Sequence, residues 1–128
     1  MEIVHSTYET VEGVELQPIT RHEAEVAFAS GVSREICYAL IRLVYHDPDW
    51  KWLQEKCMEM SQVSDLDVAG LAVTCLGHIA RIHCTLELER VLPVLKALRA
   101  RPELAGIVDD AFDDIEMYMD VEIDRSAN

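Results

Sequence analysis

The residues best suited to chemistry are a cysteine, two histidines and an arginine that lie close together in the chain: Cys75, His78, Arg81 and His83. Cys75 and His78 are three residues apart, and on a helix this spacing can bring a thiolate and an imidazole to one metal ion. No second pair of ligands lies near them, and Cys75 falls on an apolar stripe. We therefore predict a core cysteine and two histidines on a helix flank and a helix end, with no metal and no cofactor.

Sequence motifs of common catalytic sites are absent. The chain contains no GxSxG, Walker A, HExxH or GxGxxG pattern, which are the signatures of activated nucleophiles, phosphate loops, zinc proteases and dinucleotide sites. The sequence therefore predicts a protein that is not an enzyme. A pocket for a small ligand or a metal near His78 and Arg81 stays open as an alternative.

The most distinctive pattern is a run of carboxylates within a predicted helix over residues 102–119. On helical spacing the carboxylates share one side, and the apolar residues lie on the other. No lysine or arginine occurs between Pro102 and Asp124. Like charges three or four residues apart each cost a helix roughly 0.2–0.5 kcal/mol, so this face asks for an explanation.

Three interpretations of the acidic face compete. It is a solvated surface, a docking surface for a basic partner, or a set of acids of which one or two pair with Arg81 or Arg101 of the same chain. The candidate partner-binding residues are the carboxylates of this helix and one tryptophan: Asp109, Asp110, Asp113, Asp114, Glu116 and Trp52. Trp52 points away from the core stripe that Trp50 follows, so it either packs against a neighbouring helix or serves as a partly exposed aromatic anchor.

The charge balance restricts the classes of partner. The chain has 11 basic and 24 acidic residues and a net charge of −13. Nucleic-acid binding normally requires a basic surface, and an anionic membrane attracts basic segments. We therefore expect neither of these partners, and the natural partner is a basic protein.

The cysteines and the N-terminal residues indicate a cytoplasmic protein. Four cysteines occur without a CxxC pair, which favours reduced thiols inside the cell. The first residues lack the basic and apolar regions of a signal peptide, and no apolar run approaches the ~18 residues of a membrane span.

Apolar periodicity predicts six helices, at about 21–30, 34–46, 48–60, 67–82, 87–99 and 102–119. Thr20 and Glu23 have the spacing of a capping box, Ser33 can cap the second helix, and Asp47 followed by Pro48 predicts the start of the third. Pro93 should kink the fifth helix. The tail from Asp120 to Asn128 is expected to fray, and residues 1–19 form a strand, an extended arm or a disordered lead.

Short connections require consecutive helices to lie antiparallel. In the fourth helix, Gly70, Thr74 and Gly77 lie opposite the apolar stripe. A stripe of small residues allows a second helix to approach closely, as the middle of a helical stack requires. The predicted fold is therefore all-α, with residues 20–128 forming one domain.

The stretch from Asp65 to Ile79 resembles the first helix of a HEAT repeat of the phycobilin-lyase type, with an acidic turn, an alanine-rich face and Leu76–Gly77 near its end. The stretch from Leu88 to Leu98 resembles the second helix of that repeat, including its internal proline. Arg101–Pro102 is similar to the opening of the next repeat. The resemblance implies a short α-α superhelix of about six antiparallel helices and a binding role, without chemistry.

Size, charge and architecture together resemble those of some bacterial immunity proteins, which present carboxylates to the basic cleft of a nuclease toxin. This resemblance implies a scaffold whose acidic face engages a basic partner. The alternative is a structural subunit that forms homo-oligomers through the exposed ends of its stack.

Overall fold

The computed structural model describes residues 10–11 and 14–126, with side chains from Leu16 to Ser126. Two short strands, β1 (Thr10–Val11) and β2 (Val14–Glu15), pair antiparallel, with Val11 opposite Val14. Six helices follow: α1 (Arg21–Ala29), α2 (Ser33–His46), α3 (Trp50–Met60), α4 (Leu66–His83), α5 (Leu88–Arg99) and α6 (Pro102–Met119). The predicted all-α class is confirmed. Of the predicted N-terminal arm, residues 1–9 and 12–13 lie outside the described part.

Helices α2, α4 and α6 form one layer and run in the same direction. The thiol of Cys37 near the start of α2 donates to the carbonyl of Asp67 near the start of α4, at 3.7 Å. Near the other ends of these helices, Arg81 donates to the hydroxyl of Tyr45 at 2.8 Å. The start of α4 lies against the start of α6 in the same way, through Gly70 and Ile107. Parallel alternate helices are the arrangement of an α-helical superhelix.

The second layer contains α3 and α5, which are also parallel to each other. Gln54 and Glu55 near the middle of α3 bond to Glu87 and Arg90 at the start of α5. A groove continues between the two helices towards Met58, Val94 and Arg101. Because the connections between successive helices are short, the helices of this layer run opposite to those of the first.

Helix α4 occupies the centre of the stack, and its small residues allow the close approach that the sequence predicts. It packs against α2, α3 and α6, and α6 is its closest neighbour. A Cβ atom at Gly77 would lie 3.4 Å from Cα of Ala111 on α6 and 2.9 Å from a carboxylate oxygen of Asp114. Nearly every residue of α4 from Val68 to Ala80 is consequently buried.

The packing of α5 differs from the predicted helix pair of α4 and α5. Helix α5 lies closest to α6, so the pairing of α4 with α5 within one repeat is not the tightest packing. The connection turns at Cys84, which has left-handed backbone (φ 54°). The HEAT-like resemblance itself stays a prediction.

Two of the three predicted helix caps, those at Ser33 and Asp47, need correction. The capping box of α1 is confirmed, because Glu23 N donates to the Thr20 hydroxyl at 3.0 Å and Thr20 N donates to the Glu23 carboxylate at 2.9 Å. The predicted cap at Asp47 is wrong. Helix α3 begins at Trp50, and Asp49 caps it by accepting the N–H of Trp52. Asp47 precedes the helix, and its carboxylate accepts from Arg21 and from the N–H of Asp49. Ser33 is the first residue of α2 and makes no side-chain cap.

The expectation that the chain frays after Asp120 is wrong for residues 121–126. The helix does end at Met119, but the following segment folds back along α6. Ile123 is buried in the core cluster, and its backbone N–H donates to the carboxylate of Glu116 at 2.8 Å. The tail stays in place because it brings a buried apolar side chain and a cation, Arg125, to an acidic helix.

Candidate functional site

The outer face of α6 presents a mixed acidic and apolar surface to solvent. Asp110 and Tyr118 are exposed, the side chain of Asp113 is 66% exposed, and Met117 is 73% exposed. The spacing of these four residues places them on one side of the helix. We call Asp110, Asp113, Met117 and Tyr118 the α6 surface.

Asp109 lies beside the α6 surface, and its negative charge is paired with arginines of the same chain. Arg99 on α5 donates from Nε to its carboxylate at 2.7 Å, and Arg125 approaches the same oxygen at 3.5 Å. The hydrogen bond from Arg99 is the main cause that lowers the pKa of Asp109. Asp109 therefore stays ionised and is held by its own chain.

Arg125 contacts two more of the predicted carboxylates. Its Nη2 donates to Asp113 at 2.7 Å and to Glu116 at 2.8 Å, and the hydrogen bond to Asp113 is the largest cause that raises the pKa of Arg125. The pKa of Glu116 is lowered, first by the backbone N–H of Ile123 and then by Arg125. Internal pairing thus applies to three of the five acids, Asp109 included.

The arginines that make these pairs are not those considered from the sequence. Arg99 reaches α6 because α5 lies along it, and Arg125 reaches it because the chain reverses at Asp120. Asp114 is half-buried against Gly77. Burial raises its pKa, and the positive charge of Arg81 opposes this shift. Asp114 therefore faces α4 more than solvent.

Trp52 is not brought together with the carboxylates of α6. It lies on α3, in the other layer, and is half-buried. The guanidinium carbon of Arg21 on α1 lies 4.0 Å from the centre of the indole ring, a favourable cation–π distance. Of the two interpretations of Trp52, the structure agrees with the first, because the indole ring packs against Arg21 of the neighbouring helix α1. Its role in partner binding stays a prediction.

Cys75 and His78 are buried in the interior, and His83 is half-buried. His78 is 1% exposed and its ring centre is 5.6 Å from that of Tyr45. Burial, assisted by the charge of Arg81, lowers the pKa of His78 to about 4, so this imidazole is neutral. A hydrogen bond with Cys57, followed by burial, raises the pKa of Cys75. Within residues 16–126, no group of three or more histidine, cysteine or acidic side chains is arranged to hold a metal ion.

Arg125 and Met117 are not among the site residues that the sequence predicts. Arg125 ends the stretch after Pro102 that lacks basic residues, and its isolation among acids is a signal that could have identified it. Met117 lies outside the apolar stripe of α6 and between carboxylates, which is the usual sign of an exposed apolar residue. Both residues belong to the surroundings of the α6 surface.

Comparison with known proteins gives an informative similarity to a solved structure. No family model and no curated protein sequence matches the chain. The fold matches a chain in the crystal structure of a CDI complex from Cupriavidus taiwanensis LMG 19424 with a TM-score of 0.74 and 28% identity. The match covers 85% of this chain and 96% of that one. Within the described residues, no helix is long and apolar enough to cross a membrane.

Proposed function

We propose that this chain is an immunity protein, which binds a basic toxin domain and neutralises it. The observation that carries the proposal is the match to a chain of a CDI complex, where CDI stands for contact-dependent inhibition. That match extends over 96% of the solved chain at 28% identity. A match of this extent indicates a shared fold, and the shared role in recognising a protein partner is what we propose.

The charge of the chain supports a basic partner. A net charge of −13 steers a cationic protein towards its surface and speeds association at low salt. The carboxylates that remain exposed on α6 lie next to apolar side chains, and an apolar anchor within a polar rim is the usual composition of an energetically important contact. We therefore assign the docking role first to the α6 surface.

The predicted carboxylates of α6 differ in how accessible they are to a partner, and all of them remain candidates. Asp110 and Asp113 are the carboxylates most accessible to a partner. Asp109 and Glu116 are held by arginines and are less exposed, and Asp114 is half-buried. Asp113 also pairs with Arg125, but its side chain is 66% exposed. A partner would meet Asp110 and Asp113 first.

The test is binding to a toxin domain encoded beside the gene of this chain. Affinity is measured by titration calorimetry at about 50 mM and about 500 mM NaCl, because the screening length for exposed charges falls from about 14 Å to about 4 Å over this range. Growth of cells that produce the toxin domain, with and without this chain, measures neutralisation. We expect salt-sensitive binding and restored growth.

A pair of matched variants tests the surface. Asp110→Lys with Met117→Lys changes the α6 surface by three positive charges, and Glu89→Lys with Val26→Lys makes the same change on α5 and α1. All four positions are exposed. The first variant should bind at least about ten-fold more weakly, a difference of about 1.4 kcal/mol. Equal weakening in both variants would assign the effect to net charge and remove the α6 surface as the docking site.

A further inference from the structure

The segment after α6 is built as a strap. Asp120 adopts left-handed backbone (φ 56°), and its N–H bonds to the carbonyl of Glu116, which reverses the chain. Ile123 is 9% exposed and anchors the segment in the core. Residues 121–126, which we call the strap, therefore lie along the helix that carries the predicted docking residues.

The strap delivers one guanidinium group to a site made of three carboxylates and an aromatic ring. One nitrogen of Arg125 lies 2.7 Å from the carboxylate of Asp113 and 2.8 Å from that of Glu116. The other lies 3.5 Å from Asp109. The guanidinium carbon lies 5.3 Å from the ring centre of Phe112. A planar fork over an aromatic face suits arginine, because a lysine ammonium is a single point charge that can neither fork nor stack.

We propose that this arginine site is shared between the chain and its partner: Arg125 occupies it in the free protein, and an arginine of the partner takes it in the complex. The inference rests on the proposed function and specifies the chemistry of the partner side chain. Without Arg125 the site would hold three carboxylates, Asp109, Asp113 and Glu116, against one cation, Arg99. Such a site requires a replacement cation.

The contact of Arg125 with Asp113 is of a kind that can exchange, whereas its contacts with Asp109 and Glu116 are partly buried. Its side chain is 27% exposed, and that of Asp113 is 66% exposed. Ion pairs open to solvent contribute little net stability, since water and salt compete with them. A partner arginine can therefore displace Arg125 and loosen the strap, including the bond of the Ile123 amide to Glu116, while the helices stay in place.

The test uses a labelled octa-arginine peptide and an octa-lysine peptide, with affinity measured by fluorescence anisotropy. The variants are Arg125→Gln and Arg101→Gln. Both remove one positive charge, and Arg101 is an exposed residue at the start of α6. Arg125→Gln should bind octa-arginine about five-fold more tightly than the wild type, the gain expected when one exposed pair no longer competes. The Arg101 variant and the lysine peptide should each show less than about half of that gain.

An equal gain in the two variants would mean that only net charge matters, and an equal gain for both peptides would mean that the site does not select arginine. Either result overturns the proposal.

Hydrogen exchange of the Ile123 amide, which bonds to Glu116, gives an independent measurement. Octa-arginine should speed this exchange in the wild type, and tight binding with unchanged exchange would also overturn the proposal. If the peptide results hold but toxin binding fails, the arginine site stands and the immunity role falls.

Discussion

His78 should make the stability of the protein depend on pH in a range where the carboxylates contribute little. Its ring is 1% exposed, and its pKa is about 4 in the folded protein against about 6.5 in an unfolded chain. Because the folded pKa is the lower one, the unfolded chain binds the proton more tightly. The stabilising contribution is therefore complete above about pH 6.5 and is lost as the pH falls towards 4.

The size of the effect follows from the two pKa values. Between about pH 7 and about pH 5, a histidine with these values lowers the free energy of unfolding by about 2 kcal/mol. Below about pH 4 the full loss is about 3 kcal/mol. Ordinary carboxylates titrate near pH 4, so the interval from pH 7 to pH 5 isolates the histidines.

Urea unfolding followed by helical circular dichroism at about pH 7, 6 and 5 measures this dependence. His78→Leu provides the comparison, because it keeps an apolar filling in the interior and removes the titrating ring. The wild type should lose about 2 kcal/mol over this interval, and the variant should lose little of that amount. An identical loss in both proteins would show that His78 is not the group responsible, and its buried, neutral state would have to be abandoned.

Three further substitutions test the packing of the layers. Gln54→Ala removes the acceptor of the Glu87 N–H (2.7 Å) from a fully buried side chain that joins α3 to α5, and should cost about 2–3 kcal/mol in urea unfolding; a cost below ~1 kcal/mol would contradict this role. Gly77→Leu should cost about 1–3 kcal/mol, because α6 leaves no room for a side chain. Gly106→Ala meets open space and should gain up to about 1 kcal/mol. The reverse order of melting temperatures for the two glycine variants would refute the close packing of α4 on α6 at Gly77.

Much of the helical architecture could be predicted because it depends on residue patterns within single segments of the chain. The apolar stripe of α4 and its opposite stripe of small residues are both periodic features of one segment, and they correctly indicate a helix packed on two sides. The capping box of α1 is equally local. The start of α3 is predicted at Asp47 because a capping residue followed by proline is a local pattern. In the structure Arg21 on α1 bonds to both Asp47 and Asp49, and the helix begins only after Asp49.

In the candidate site, too, some features follow from the local sequence and others depend on contacts between distant segments. The composition and spacing of residues 102–119 identify an acidic helix, and the ionic character of that helix is a property of the sequence alone. Which of its carboxylates stay accessible depends on the path of the chain. Arg99 and Arg125 lie 10 and 16 residues from Asp109 along the chain, and both reach it only because α5 packs on α6 and the strap turns back at Asp120. Local periodicity determines which residues form a face, whereas contacts between distant segments decide what covers that face.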